Sequence, residues 1–264
     1  VGGRPVRPDG TDKVTGRAQY GSDIRLNGML YGRVVRSPHA HALIKSIDYS
    51  KAEALPGVRA VVTSQDLPST GGVIIPTVRG PIPLDWERER LLAADHIYFR
   101  GHPIAAICAT DPHIAEDALA LVEVEYEVLP PVLNIREAMD PNAPILFDPE
   151  KVKTITGLFE LNDGKPSNVA RHLNMDIGDI ESGFEKADVI VEREFETAST
   201  HQGYIETHNA TAFWNHDGKV TIWTSTQGTH NIRQQVAQIL QLKLQDIKVV
   251  PMEIGGGFGG KLAA

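Results

Sequence analysis

The chain has 264 residues, 41% of them hydrophobic and 23% charged, and a formal net charge of −8. That length supports a sizeable core in one large or two modest domains, and the composition is that of an ordinary soluble globular protein. The acidic balance argues against nucleic-acid or anionic-membrane partners, no apolar run approaches the ~20 residues of a membrane-spanning helix, and the single cysteine, Cys108, excludes an internal disulfide and a cysteine-held iron–sulfur or zinc site within this chain. Cys108 sits in the apolar run Ile104–Ala109 and is expected as a small core residue. One thiol and no apolar signal region after Val1 fit a reducing, cytoplasmic setting. A start without Met and a stop just past a glycine loop suggest an excised or processed piece.

Taken in order, residues 1–14 read as an extended arm and the turn-rich stretch to 28 as irregular structure. Met29–Arg36 and Ala42–Ile47 read as strands around the turn Ser37-Pro-His-Ala-His41. Ser50-Lys-Ala-Glu53 has the pattern of a capping box, opening a helix that Pro56-Gly57 ends. Val58–Thr63 is a β-branched strand, and 68–96 a long loop carrying Gly71-Gly72 and Pro81-Ile-Pro83. Ile104–Ala109 is a buried strand. Asp111-Pro112 caps a helix through Leu121, and Val122–Val128 alternates strictly, with a solvated acidic face. Breakers at Asp140-Pro141, Asp148-Pro149 and Asp163-Gly164 mark a linker, set at 131–165.

In the region 166–264, Val189, Val191 and Phe195 are expected on one strand face. Ala210–Trp214 and Val220–Thr226 flank the hairpin turn Asn215-His-Asp-Gly218. Ile232, Val236, Ile239 and Leu240 follow helical spacing, with Asn231 as a cap, and 247–252 is a strand. It leads into Gly255-Gly-Gly-Phe-Gly-Gly-Lys261. Such a loop is expected to present a row of bare N–H groups to an oxyanion, phosphate or metal-oxo group, with Phe258 as a pocket wall. The order strand, Gln227, helix, strand, glycine loop brings Gln227 and the loop to one sheet edge.

Gly255-x-Gly-x-x-Gly260 also fits a dinucleotide fingerprint, but the helix and the acidic residue that would complete it are missing, so a nucleotide-dependent oxidoreductase is the weaker alternative. His201-Gln-Gly-Tyr-Ile-Glu206 has no nucleophile nearby in sequence and reads as structural. His39-Ala-His41 lacks a third ligand at sensible spacing and is set aside as a metal pair.

Jointly, the glycine loop, Ser225-Thr-Gln227 and His201–Glu206 resemble the large molybdopterin subunit of the xanthine dehydrogenase and aldehyde oxidase family of molybdenum hydroxylases. The segments Asp12–Tyr20, Arg36–His41, Leu55–Val58 and Gly101–Ala105 resemble that family's α/β hammerhead domain. The resemblance implies an α+β chain: a hammerhead domain over 15–130, then the N-terminal portion of a molybdopterin-binding domain over 166–264.

It further implies that Gln227 hydrogen-bonds an oxygen ligand of molybdenum, that Phe258 and Gly259 lie beside the metal, and that Gly256, Gly257 and Gly260 complete the cofactor-facing loop. The cofactor would be molybdopterin, with its cytosine dinucleotide form open, and the chain itself would supply no metal ligand. [2Fe-2S] centres and FAD would sit on partner chains, namely an iron–sulfur subunit and an FAD subunit. The general base and most pterin contacts would lie in the C-terminal remainder of the molybdopterin subunit. The substrate would be a small molecule oxidised with water as oxygen source. Purine-oxidising members carry glutamate directly after the loop lysine, where this chain has Leu262. Aldehydes, N-heteroaromatics, aryl thioesters and carbon monoxide remain open. A non-catalytic assembly chain of a split molybdopterin subunit is the alternative of a different class.

Overall fold

The computed structural model describes residues 2–69, 71–77, 80–146, 168–169, 175 and 177–262. The chain divides into two compact units, Val1–Pro131 with Gln202–Ala264, and Val132–His201. Helix and sheet are mixed in the first unit, as an α+β chain requires.

The first unit opens on a short helix, α1 (Gly10–Thr15), closed by Gly16 at φ 74°. An extended arm was expected there. Arg7-Pro-Asp-Gly10 instead turns the chain, and Lys13 ties α1 to Asp9 at 3.2 Å and Glu253 at 3.1 Å. Strands β1 (Tyr31–Arg36), β2 (Ala42–Asp48), β3 (Val58–Thr63), β4 (Ile74–Thr77), β5 (Gly80–Pro83), β6 (His96–Ile97), β7 (Pro103–Ala109) and β8 (Glu123–Val128) follow. Among them lie helices α2 (Ser50–Glu53), α3 (Leu84–Leu91) and α4 (Pro112–Leu119). The sheets are β1-β7-β3 and β6-β2-β8, both antiparallel, with a separate β4-β5 pair.

Strand β7 shows why its sequence is apolar at every position from 104 to 109. Ile104 packs with Ala42, Ala93 and Ile97, while Ala105 and Ile107 pack with Ala52, Val61 and Ala118. Successive side chains of a strand point to opposite faces, so a strand covered on both sides must be apolar at both alternations. Cys108 on this strand is half-buried, and burial pushes its thiol up from the ordinary value. Helix α4 starts as its sequence dictates: Asp111 accepts from the N–H groups of His113 at 2.8 Å and Ile114 at 3.4 Å, with Pro112 in the first turn. The acidic face of β8 is solvated, and Glu123 and Glu127 pair there with Lys51 and Lys45.

Two further expectations fail in this half. Ser50 is the first residue of α2 and not its cap. Tyr49 precedes the helix without a side-chain cap bond, and the Ser50 N–H donates to Asp48 at 2.9 Å. The stretch 68–96 is not one long loop. It contains β4, β5, α3 and the start of β6. Prolines at 76, 81 and 83 conceal the strands, because proline cannot donate to a ladder. Leu84 is buried against Ile239, which fixes α3 in place.

The second unit contains α5 (Ile135–Met139), capped by Asn134, and α6 (Ile180–Glu185), capped by Asp179. Asn168 accepts from the Leu146 N–H at 2.9 Å and donates to the Pro144 carbonyl at 2.9 Å. The strand expected through Val189, Val191 and Phe195 is not formed, and all three side chains are exposed. Alternation makes a strand possible, but a ladder partner makes it a strand, and none pairs here among the described residues. The breakers at Asp148-Pro149 and Asp163-Gly164 fall outside the described residues.

The rest of the first unit is β9 (Ala210–Trp214), β10 (Val220–Thr224), α7 (Thr229–Ile239) and β11 (Ile247–Pro251). β10 pairs antiparallel with β9 across the Asn215–Gly218 turn and parallel with β11. Val220, Ile222, Ala237 and Ile247 form the core beneath α7. The N-cap of α7 is Gly228, not the expected Asn231, because Thr226 Oγ1 accepts the Gly228 N–H at 3.0 Å and turns the chain three residues earlier. Gln19 accepts from the Glu253 N–H at 3.0 Å, and Tyr20 forms a parallel bridge to Glu253. No helix among the described residues is long and apolar enough to cross a membrane.

Candidate functional site at Gln227 and the glycine loop

A parallel pair joined by a crossover helix places the ends of its two strands side by side. Thr224 at the end of β10 lies opposite Pro251 of β11, so Ser225–Gln227 and Gly255–Lys261 leave the same edge. The Met252 N–H donates to the Thr224 carbonyl at 3.0 Å, and the Gln227 N–H to the Lys261 carbonyl at 2.8 Å. Sequence order alone predicted this meeting, and the structure brings the two segments together.

The Gln227 side chain is held as firmly as its backbone. Its Oε1 accepts the N–H groups of Gly259 at 3.0 Å and Lys261 at 3.2 Å. Two backbone donors can face only the oxygen of an amide, so the other end, Nε2 with its two hydrogens, is turned away from the loop. Gly257 lets the amide come this close. A Cβ built there would stand 2.7 Å from Gln227 Oε1 and 2.8 Å from its Cδ. Gly259, at φ 85°, adopts a backbone that other residues avoid, and a Cβ there would meet open space.

The expected row of bare N–H groups is only partly present. Gly255 donates to Glu206 at 2.8 Å and Gly260 to the Gly257 carbonyl at 2.7 Å, while Gly259 and Lys261 serve Gln227. Among the described residues, the N–H groups of Gly256, Gly257 and Phe258 have no hydrogen-bond partner. Phe258 itself has φ 48°, and the residue is 72% exposed.

Sequence reasoning gave Glu206 a structural role and missed its reach. The carboxylate accepts from Ser225 Oγ at 2.6 Å, the Gly255 N–H at 2.8 Å, Lys261 Nζ at 2.8 Å and Asn209 Nδ2 at 3.2 Å. Burial pushes this carboxyl up, but the hydrogen bonds from Lys261, Ser225, Gly255 and Asn209 outweigh it and hold it at about 2. Lys261 is fully buried, donates also to Ser225 Oγ at 2.8 Å, and lies 5.1 Å from the centre of the Tyr204 ring. The signal was present in the sequence: a lysine at the end of a glycine run needs a counter-charge once buried.

His39 and His41 face different neighbours. The His39 ring meets Tyr126 edge-on at 4.8 Å, while His41 bonds the Pro130 carbonyl at 2.7 Å and His96 Nε2 at 2.8 Å.

The donor set suits an oxygen-rich, anionic group. It offers a neutral amide N–H₂ fixed in direction, three adjacent N–H groups unpaired among the described residues, and open space beside Gly259.

Comparison with known proteins defines the class. Residues 15–130 match the aldehyde oxidase and xanthine dehydrogenase a/b hammerhead domain, and residues 161–264 match the molybdopterin cofactor-binding domain. The carbon monoxide dehydrogenase large chain of Afipia carboxidovorans is 38% identical over 94% of this chain and 30% of its own length. A probable xanthine dehydrogenase subunit of Bacillus subtilis is 35% identical over 97% of this chain and 31% of its own length. A crystal structure of the Cu,Mo-CO dehydrogenase in its carbon monoxide reduced state superposes with a TM-score of 0.81 at 35% identity, covering 100% of this chain and 32% of that one. The chain belongs to the xanthine dehydrogenase and aldehyde oxidase family of molybdenum hydroxylase large subunits. It spans about a third of the length of these three proteins.

Proposed function

We propose that the chain is part of a molybdopterin-dependent oxidoreductase, and that Gln227 with Gly256, Gly257, Phe258, Gly259 and Gly260 forms one wall of its cofactor site. The observation that carries this reading is the orientation of the Gln227 amide, which two loop N–H groups turn so that Nε2 is the end offered to a ligand. Bound molybdopterin would supply the redox chemistry. Gln227 would donate a hydrogen bond from Nε2 to an oxygen of that group, stabilising its charge without competing as a ligand. The N–H groups of Gly256, Gly257 and Phe258 would add donors. Gly259 would act mainly by holding Gln227, because its own N–H is committed to Oε1.

The overall reaction would replace a C–H bond at an electron-poor carbon by C–OH. Oxygen comes from water, and two electrons and two protons are released. The electrons would pass to [2Fe-2S] centres and FAD on partner subunits, a division supported by the single cysteine of this chain. Leu262 favours an aldehyde, a heteroaromatic or a related substrate over a purine, since an aliphatic side chain offers nothing to hydrogen-bond a purine edge.

The test is molybdenum and pterin analysis of the native assembly. Stoichiometric amounts of both are expected, with turnover lowered by about 10²-fold in Gln227→Ala. Gln227→Glu keeps an acceptor for the loop but loses the donor, and should fall as far. An active, intact assembly without molybdenum would overturn the reading.

A further inference from the structure

Five glycines in a loop of seven leave the backbone with little intrinsic direction, so something outside the loop must fix it. One atom touches both of its ends. Glu206 Oε2 accepts the Gly255 N–H, where the loop begins, and Lys261 Nζ, where it closes, each at 2.8 Å. The same oxygen accepts the Ser225 hydroxyl at 2.6 Å, two residues before Gln227. Ser225 in turn accepts from Lys261 at 2.8 Å, which closes a triangle of carboxylate, ammonium and hydroxyl. Asn209 donates to the other oxygen, Oε1.

The Glu206 side chain is 11% exposed and that of Lys261 1%. A charge pair so shielded holds its geometry far better than a solvated one, provided that every partner is present. None of these contacts faces the proposed ligand. They act on the two segments that do: Lys261 N–H and the Lys261 carbonyl both bond Gln227, so the position of Lys261 sets the Gln227 amide.

We propose that Glu206 is a positioning residue that clamps both ends of the glycine loop to the end of β10 through one carboxylate oxygen, and that Lys261 and Ser225 transmit this to Gln227. The clamp is a property of the fold itself. Its effect on turnover rests on the molybdopterin reading.

The experiment uses the full-length subunit in its native assembly. The charge-balanced double variant Glu206→Gln with Lys261→Met avoids a lone buried charge. Hydrogen exchange read by mass spectrometry is expected to accelerate by about tenfold or more in peptides covering 255–261, while peptides of β10 and α7 keep wild-type rates. Turnover should fall with KM for substrate little changed, and Lys261→Arg alone should keep part of it. Ser225→Ala, a milder change, should accelerate loop exchange by about threefold. It decides the matter alone if the double variant does not assemble. Unchanged loop exchange in either assembled variant overturns the clamp. Accelerated exchange in an assembly whose wild type carries no molybdenum supports the clamp while refuting the cofactor reading.

Discussion

The close approach of Gln227 to Gly257 gives the sharpest prediction. Gly257 does not have a positive φ, so its backbone accepts alanine, but the new Cβ would stand 2.7 Å from Gln227 Oε1, 2.8 Å from Cδ and 3.1 Å from Cγ. Those distances are too short for carbon, and Gln227 must swing away. It then gives up its bonds from Gly259 and Lys261, each worth about 0.5–1.5 kcal/mol net, so about 1–3 kcal/mol together. Replacing glycine by alanine stiffens the unfolded chain and returns roughly 0.4–1 kcal/mol. The net loss of stability is therefore small, about 0–2.5 kcal/mol, while the amide loses its direction entirely. Gly257→Ala should lose no more stability than those two bonds supply, yet lose turnover to about the level of Gln227→Ala. Wild-type turnover in Gly257→Ala, or a structure of the variant with Gln227 unmoved, would refute the reasoning.

The remaining predictions concern pH, core and caps. Glu206 is held at about 2 against an ordinary 4.5, so its stabilisation is complete above about pH 4.5 and is lost as pH falls toward 2; the difference is worth ~3 kcal/mol, and denaturation at pH 7, 4 and 2.5 should lose that slope in Glu206→Gln. Ile107→Ala empties a fully buried site between α4 and the sheet and should cost about 2–5 kcal/mol by denaturant unfolding. Asp111→Ala removes the cap of α4 and should cost about 0.5–2 kcal/mol. Gly57→Ala combines φ 101° with a Cβ 2.6 Å from Ile114 Cδ1, and should lower the thermal midpoint more than Asp111→Ala.

Where one local signal decided the matter, the fold could be read ahead of the structure. The alternation of Val122–Val128, the Asp111-Pro112 cap and the Asn215–Gly218 turn each specify an element without help from the rest of the chain. What escaped depends on partners distant in sequence. Residues 189–195 alternate correctly and form no strand, because a strand is defined by its neighbour. The prolines of 76–83 hid a β-pair, and Leu84 settled α3 only by meeting Ile239. At the site, the meeting of Gln227 and the loop was legible from strand order. Which loop N–H groups would be consumed internally was not, because that turns on contacts of a few tenths of an ångström around Gln227 and Glu206.

The Glu206 contacts also say something about the order of assembly. The β9–β10 hairpin closes between Trp214 and Val220, whereas Glu206 must find Gly255 and Lys261 at separations of 49 and 55 residues. Closing the longer span costs about 2 kcal/mol more chain entropy than closing the hairpin. On loop closure alone, the hairpin is therefore expected to form before Glu206 captures the glycine segment, so that the ligand-facing wall depends on a contact made after its supporting strands.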